Sequence, residues 1–122
     1  MRVLIVDGAN VVGSRPTGWW RDRAGAAKRL HQAMAATDLG YDAVVLVLEG
    51  DAKRGQPVGS DGAIDTVHAP GSGDDAIVEQ VRTRSRDGDD VVVVTADRQL
   101  RERVASAGGS SIGPSWLLAR TS

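Results

Sequence analysis

Three short, unbroken apolar runs constrain this chain most: Val3-Leu4-Ile5-Val6, Ala43-Val44-Val45-Leu46-Val47-Leu48 and Val91-Val92-Val93-Val94. Each is continuous rather than alternating and rich in β-branched residues, the pattern of strands covered on both faces of a parallel sheet. A weaker run, Ala63-Ile64-Asp65-Thr66-Val67, alternates and suits a strand nearer an edge. Between these runs the period is helical. Residues 22 to 37 place Ala26, Ala27, Leu30, Ala33 and Met34 at three- and four-residue spacing. Residues 74 to 86 group Ile77, Val78 and Val81, and residues 98 to 107 group Leu100 and Val104. Gly40, Gly88 and Gly108 follow these segments as stop signals. The chain closes with a short extended piece, Ser110-Ser111-Ile112, and a helical turn opened by Pro114. Strands alternating with helices predict an α/β protein, a three-layer α/β/α sandwich around a mainly parallel sheet. At 122 residues the chain holds one sizeable core, so a single domain over residues 1–122 is expected.

In such sheets ligands bind beyond the carboxyl ends of the strands, near a topological switch point. Those ends are acidic here. The first run leads into Asp7-Gly8-Ala9-Asn10, the second into Glu49-Gly50-Asp51 and the third into Thr95-Ala96-Asp97-Arg98. A further pair, Asp74-Asp75, opens a helix after Gly71-Ser72-Gly73. Composition then narrows the chemistry. The absence of Cys removes thiol nucleophiles, disulfides and Cys-ligated zinc, and two histidines, His31 and His68, make a poor zinc centre. An acid cluster without His or Cys suits a hard cation, Mg²⁺ or Mn²⁺, held through oxygen. Such an ion keeps crowded carboxylates ionised together. One or two of them can activate water and stabilise the in-line transition state of phosphodiester hydrolysis. Each acid has an ordinary structural role as well. Ser72 and Asp75 form a capping-box pattern, Asp97 can cap the helix after it, and Asp7 with Gly8 and Asn10 can build a tight turn. Capping does not explain why the acids converge on one edge of one sheet.

The strand and motif Val3-Leu4-Ile5-Val6-Asp7-Gly8-Ala9-Asn10, then Gly73-Asp74-Asp75, then Val91-Val92-Val93-Val94-Thr95-Ala96-Asp97-Arg98 resemble the PIN-like nucleases, specifically the NYN branch and its YacP-like members. The resemblance covers nearly the whole chain. It implies a sheet of about five parallel strands between helices, and metal-dependent RNA cleavage. Carried over by position, it makes Asp7, Asp74 or Asp75, and Asp97 metal-binding acids, with Asn10 supporting the site by hydrogen bonding. Glu49 stands where many members have Asp, and is a fourth ligand or a base. Arg98 would neutralise the substrate phosphate. Of the adjacent acids, Asp74 is favoured as the primary ligand with Asp75 contributing through the cap, and the reverse order stays open.

Other residues offer RNA contacts. Trp19-Trp20, flanked by Arg15, Arg21 and Arg23, can stack on unpaired bases or pack on the first long helix. Lys53 and Arg54 sit in a Gly-rich stretch, 50 to 62, read as a mobile loop able to clamp a strand. His31 is expected on the surface or in packing, and His68 in a structural role. Other phosphate-handling families fit less well. A dinucleotide fold needs G-x-G-x-x-G after the first strand, a haloacid-dehalogenase phosphatase needs an acid where Ala9 stands, and a receiver domain needs a late Lys where the only lysines are Lys28 and Lys53.

The net charge of −1 excludes a protein that coats nucleic acid everywhere. With Asp7, Glu49, Asp74, Asp75 and Asp97 set apart as a pocket, bases outnumber acids on what remains, which points to local RNA engagement. No stretch reaches the roughly 20 apolar residues of a membrane helix, so no membrane partner is expected. Met1 runs directly into the first strand, from which a cytoplasmic location is expected. Two rival readings stand beside the ribonuclease: a catalytically silent RNA-binding module on the same fold, and the toxin of a toxin–antitoxin pair. The partners expected are RNA, a second copy in a homodimer and, for the toxin, a protein antitoxin.

Overall fold

The continuous apolar runs form the middle of one sheet. The computed structural model describes residues 1–15 and 17–122. Its first half runs β1 (Arg2–Asp7), α1 (Gly8–Gly13), a 3₁₀ turn at Trp19–Arg21, α2 (Arg23–Ala35), β2 (Ala43–Leu48) and a 3₁₀ turn at Gly50–Gly55. There follow β3 (Gly59–Asp61), β4 (Ile64–His68), α3 (Gly73–Arg86), β5 (Asp90–Val94), α4 (Arg98–Ser106), β6 (Ser110–Ile112) and α5 (Pro114–Thr121). The strand order is β3-β4-β2-β1-β5-β6, parallel throughout except for the antiparallel β3 at one edge.

Side-chain alternation sends each central strand into two cores. Leu4, Val6, Leu46 and Leu48 pack with Ala27, Leu30 and Met34 of α2 and Leu117 of α5. Val3, Ile5, Val45, Val47, Val91 and Val93 pack with Ile77, Val78 and Val81 of α3 and Leu100 and Val104 of α4. Helices on both faces explain why the strands carry no polar alternation. From β1 the chain steps outward through β2 to β4. It then crosses back by α3 and lays β5 on the other side of β1. The β1/β5 boundary is therefore the switch point.

Two expectations change. The sheet has six strands rather than about five, the addition being the three-residue edge strand β3. The stretch 50 to 62 is not a free loop. Its first part is the 3₁₀ turn, packed so closely on α2 that a Cβ at Gly55 would collide with the Ala24 carbonyl. Its end is β3, and His68 Nε2 bonds the Gln56 carbonyl at 2.7 Å between them. Segments of three to six residues are too short to show a period. His31 is buried on α2, and His68 has the structural role expected of it. No helix among the described residues is long and apolar enough to cross a membrane.

Candidate active site

The site is built at the switch point. β1 ends on Asp7, which is 5% exposed, and α1 starts at once. That immediate start needs Gly8, because a Cβ there would stand 2.8 Å from the Val47 carbonyl oxygen and 2.9 Å from the Leu48 side chain. The expected tight turn is thus the first turn of a six-residue helix, with Asp7 as its N-cap. Asp7 Oδ1 accepts from the Asn10 backbone N–H at 3.3 Å, and Oδ2 accepts from the Thr95 hydroxyl at 2.9 Å.

Thr95 is fully buried at the end of β5, and sequence patterning did not single it out. Its Oγ1 also accepts from the Asp97 N–H at 3.2 Å, so one hydroxyl ties Asp7 to the segment carrying Asp97. Asp97 Oδ1 caps α4 through the Leu100 N–H at 3.0 Å. Asn10 does not bond Asp7 through its side chain. Its Oδ1 accepts from the Ala96 N–H at 2.8 Å and clasps α1 to the β5–α4 connection. Arg101, also unforeseen, donates from Nε to the Thr95 carbonyl at 2.9 Å. In sequence, a Thr ending an apolar strand reads as one more strand residue. The signal lay in its place two residues before a helix-capping Asp.

The second pair of acids comes from the neighbouring flank. Glu49 follows β2, and its Oε2 accepts from the Gly73 N–H at 3.0 Å, at the start of α3. Ser72 caps α3, accepting from the Asp74 N–H at 3.1 Å and the Asp75 N–H at 3.5 Å. The structure separates the adjacent acids. Asp74 is half-buried and feels the charges of Asp97 and Glu49, whereas Asp75 is exposed and pairs with Arg103 at 2.8 Å. Asp75 thus turns toward Arg103, because successive helix residues point about 100° apart, although its charge still reaches Asp74.

The electrostatics report the crowding. Burial pushes the Asp7 carboxyl from its ordinary 3.8 up to about 6, opposed by the bonds from Thr95 and Asn10 and reinforced by the charges of Asp74 and Glu49. Asp74 is also raised, first by burial, then by Asp97, Glu49 and Asp75, with Arg103 pulling the other way. As the side chains stand, no three His, Cys, Asp or Glu residues among those described close on a common point for a metal ion. The donor chemistry nevertheless fits Mg²⁺ or Mn²⁺. The donors are all oxygen and repel one another, and Mg²⁺ is usually held by one or two carboxylates, waters and substrate phosphate rather than by a protein cage.

The residues expected to touch substrate scatter around this centre. Arg98 is exposed at the first position of α4, next to Asp97. Trp19 and Glu49 line one cavity, while Trp20 is exposed, with the Arg21 guanidinium 5.9 Å from its ring centre. Arg15 faces a different cavity, between α1, α2 and α5. Lys53 and Arg54 lie on the 3₁₀ turn that follows Glu49.

No protein-family model matches the sequence, and no curated protein sequence matches it. Solved structures do. A crystal structure of a point mutant of Rae1 (YacP) from Bacillus subtilis superposes with a TM-score of 0.79 at 19% identity, over 99% of this chain and 75% of that one. A second structure of Rae1 (YacP) from Bacillus subtilis gives 0.65 at 17% identity, over 99% and 74%. The fold of this chain is therefore the α/β fold of Rae1 (YacP).

Proposed function

We propose that this protein is a metal-dependent ribonuclease, hydrolysing phosphodiester bonds at the carboxyl end of the β1/β5 seam. One observation carries the reading. Asp7, Glu49, Asp74 and Asp97 reach the same edge from four separate segments, and the two raised carboxyls, Asp7 and Asp74, feel the charges of others in the set. Asp7, Asp74 and Asp97 would hold one or two Mg²⁺ or Mn²⁺ ions, with Glu49 as a further ligand or base. Bound there, such ions supply a nucleophilic water at neutral pH and offset charge on the phosphate.

The chain's own groups do the positioning. Thr95 fixes the direction of the Asp7 carboxylate and holds the Asp97 backbone. Asn10 keeps α1 and the β5–α4 connection in register through Ala96. Arg98, free of packing at the start of α4, meets the phosphate as it approaches Asp97.

Incubation of single-stranded and structured RNA with the protein and Mn²⁺ tests the reading. Cleavage is expected, and it should disappear with EDTA and in Asp7→Asn and Asp97→Asn. Equal rates in parent and both variants would sink the site assignment. The rival reading is an RNA-binding module without catalysis on the same fold. RNA binding with no cleavage under any divalent metal would establish it.

A further inference from the structure

Beside the acids lies a cavity of about 280 Å³ that the hydrolytic chemistry does not use. Val12, Leu48 and Ala52 make its apolar lining, Trp19 forms an aromatic wall, and Gly8 and Glu49 lie where it meets the acid cluster. Glu49 belongs to both places. It lines the cavity, and its charge raises Asp7 and Asp74. Whatever fills the cavity is therefore one group away from whatever lies against those acids.

The tryptophans show that this wall is not core. Trp116 packs against the α2-side core and meets Tyr41 edge-on at 6.0 Å. Trp19 belongs to neither core cluster, although it is half-buried. Its neighbours are Arg23, whose guanidinium lies 5.2 Å from the ring centre, and Trp20, edge-on at 6.0 Å. A flat aromatic wall, an apolar floor, a guanidinium and a carboxylate acceptor at one rim are what an unstacked base requires. The ring face opposite Arg23 takes the stacking, the carboxylate accepts from ring or amino N–H groups, and the cation meets the adjoining phosphate. A cavity of this volume suits one base swung out of a strand rather than a run of them.

We infer that this cavity is a nucleobase subsite, receiving the unpaired base of a nucleotide that flanks the scissile phosphate at the acid cluster. The inference rests on the ribonuclease reading for its substrate class, but base capture is measurable without cleavage.

The test uses fluorescence anisotropy in EDTA with two probes, labelled octaadenylate RNA and a strand of the same length with abasic ribose at every position. The parent should bind octaadenylate about tenfold more tightly than the abasic strand, the scale of one base–aromatic stack. Trp19→Ala should lose that tenfold and leave abasic binding unchanged, while Trp19→Phe should keep most of it. Ala52→Leu, which fills the floor from a position away from the acids, should act like Trp19→Ala. Circular dichroism checks that each variant is folded, and the comparison of the two strands on the parent needs no variant at all. Equal binding of both strands by the parent, or equal weakening of both by Trp19→Ala, overturns the subsite. Mn²⁺-dependent cleavage run in parallel separates the two ideas. Cutting without base preference removes the subsite and keeps the nuclease; base preference without cutting does the reverse.

Discussion

The β1/β5 seam and the β2/α3 flank each deliver two carboxylates to the same edge, and they hold them differently. On the seam, Asp7 has both oxygens bonded and Asp97 is fixed at Oδ1 and at its backbone N–H. On the flank, Glu49 is tied to the chain by one bond to Gly73, and Asp74 accepts no side-chain hydrogen bond among the described residues. The seam thus dictates direction, while the flank supplies charge that can move to meet an ion or a phosphate. A site assembled in this way is half rigid and half adaptive. The rigid half bears the larger desolvation, since Asp7 is the acid raised to about 6.

The largest effect should come from breaking the rigid half. Asp7→Asn is expected to cut Mn²⁺-dependent RNA cleavage by more than about 100-fold, beyond the loss typical of a residue that only supports a ligand. Asp74→Asn should cost less, because its neighbours on the flank can shift. Equal losses in single-turnover assays would erase the distinction between the two halves.

The same burial makes a prediction about folding. Folded Asp7 takes up its proton at about pH 6 and the unfolded side chain at 3.8. Between those values the folded chain holds the extra proton, so stability falls as pH rises through that window. By pH 7 the loss from this group should reach about 3 kcal/mol in metal-free protein. Denaturant melts from pH 4 to 7 check it, and Asp7→Asn should lose most of the slope while keeping the part that Asp74, also raised, contributes in the same direction. A parent as stable at pH 7 as at pH 4 would show that the seam does not desolvate Asp7.

Thr95→Val keeps the shape of the side chain and removes both of its hydrogen bonds. It should destabilise the fold by about 2 kcal/mol and slow cleavage by about 10- to 100-fold. It should also raise the Asp7 pKa further, moving the pH dependence of stability upward. The smallest effect belongs to Asp75→Asn. Its pairing with Arg103 is an exposed one, so thermal melts should change by less than about 1 kcal/mol and cleavage should not change. A loss like that of Asp74→Asn would return Asp75 to the acid group.

Most of the architecture was legible because β1, β2 and β5 are buried on both faces and so cannot afford polar alternation. The helices announced themselves through three- and four-residue spacing, and the acids through their place after buried strands. What stayed hidden was short or indirect. α1, the 3₁₀ turns and β3 contain too few residues to show a period. The choice between Asp74 and Asp75 depends on a rotation about the α3 axis, which Arg103, 28 residues away, makes visible by pairing with one of them. Asn10 was expected to support the site by hydrogen bonding, and its side chain accepts instead from Ala96, a backbone partner that no residue type could reveal. Thr95 was missed because a hydroxyl that orients a carboxylate looks, in sequence, like a β-branched strand former.

The bonds across the seam close long loops: Thr95 lies 88 residues from Asp7, and Ala96 lies 86 from Asn10. Loop closure over such distances comes late, after local helices and the β1–β2 pair have formed. A nascent chain leaving the ribosome would carry Asp7 exposed, without its orienting hydroxyl, until β5 emerged and docked. Assembly order would then act as a safeguard, with the site taking shape only once β5 has docked on β1.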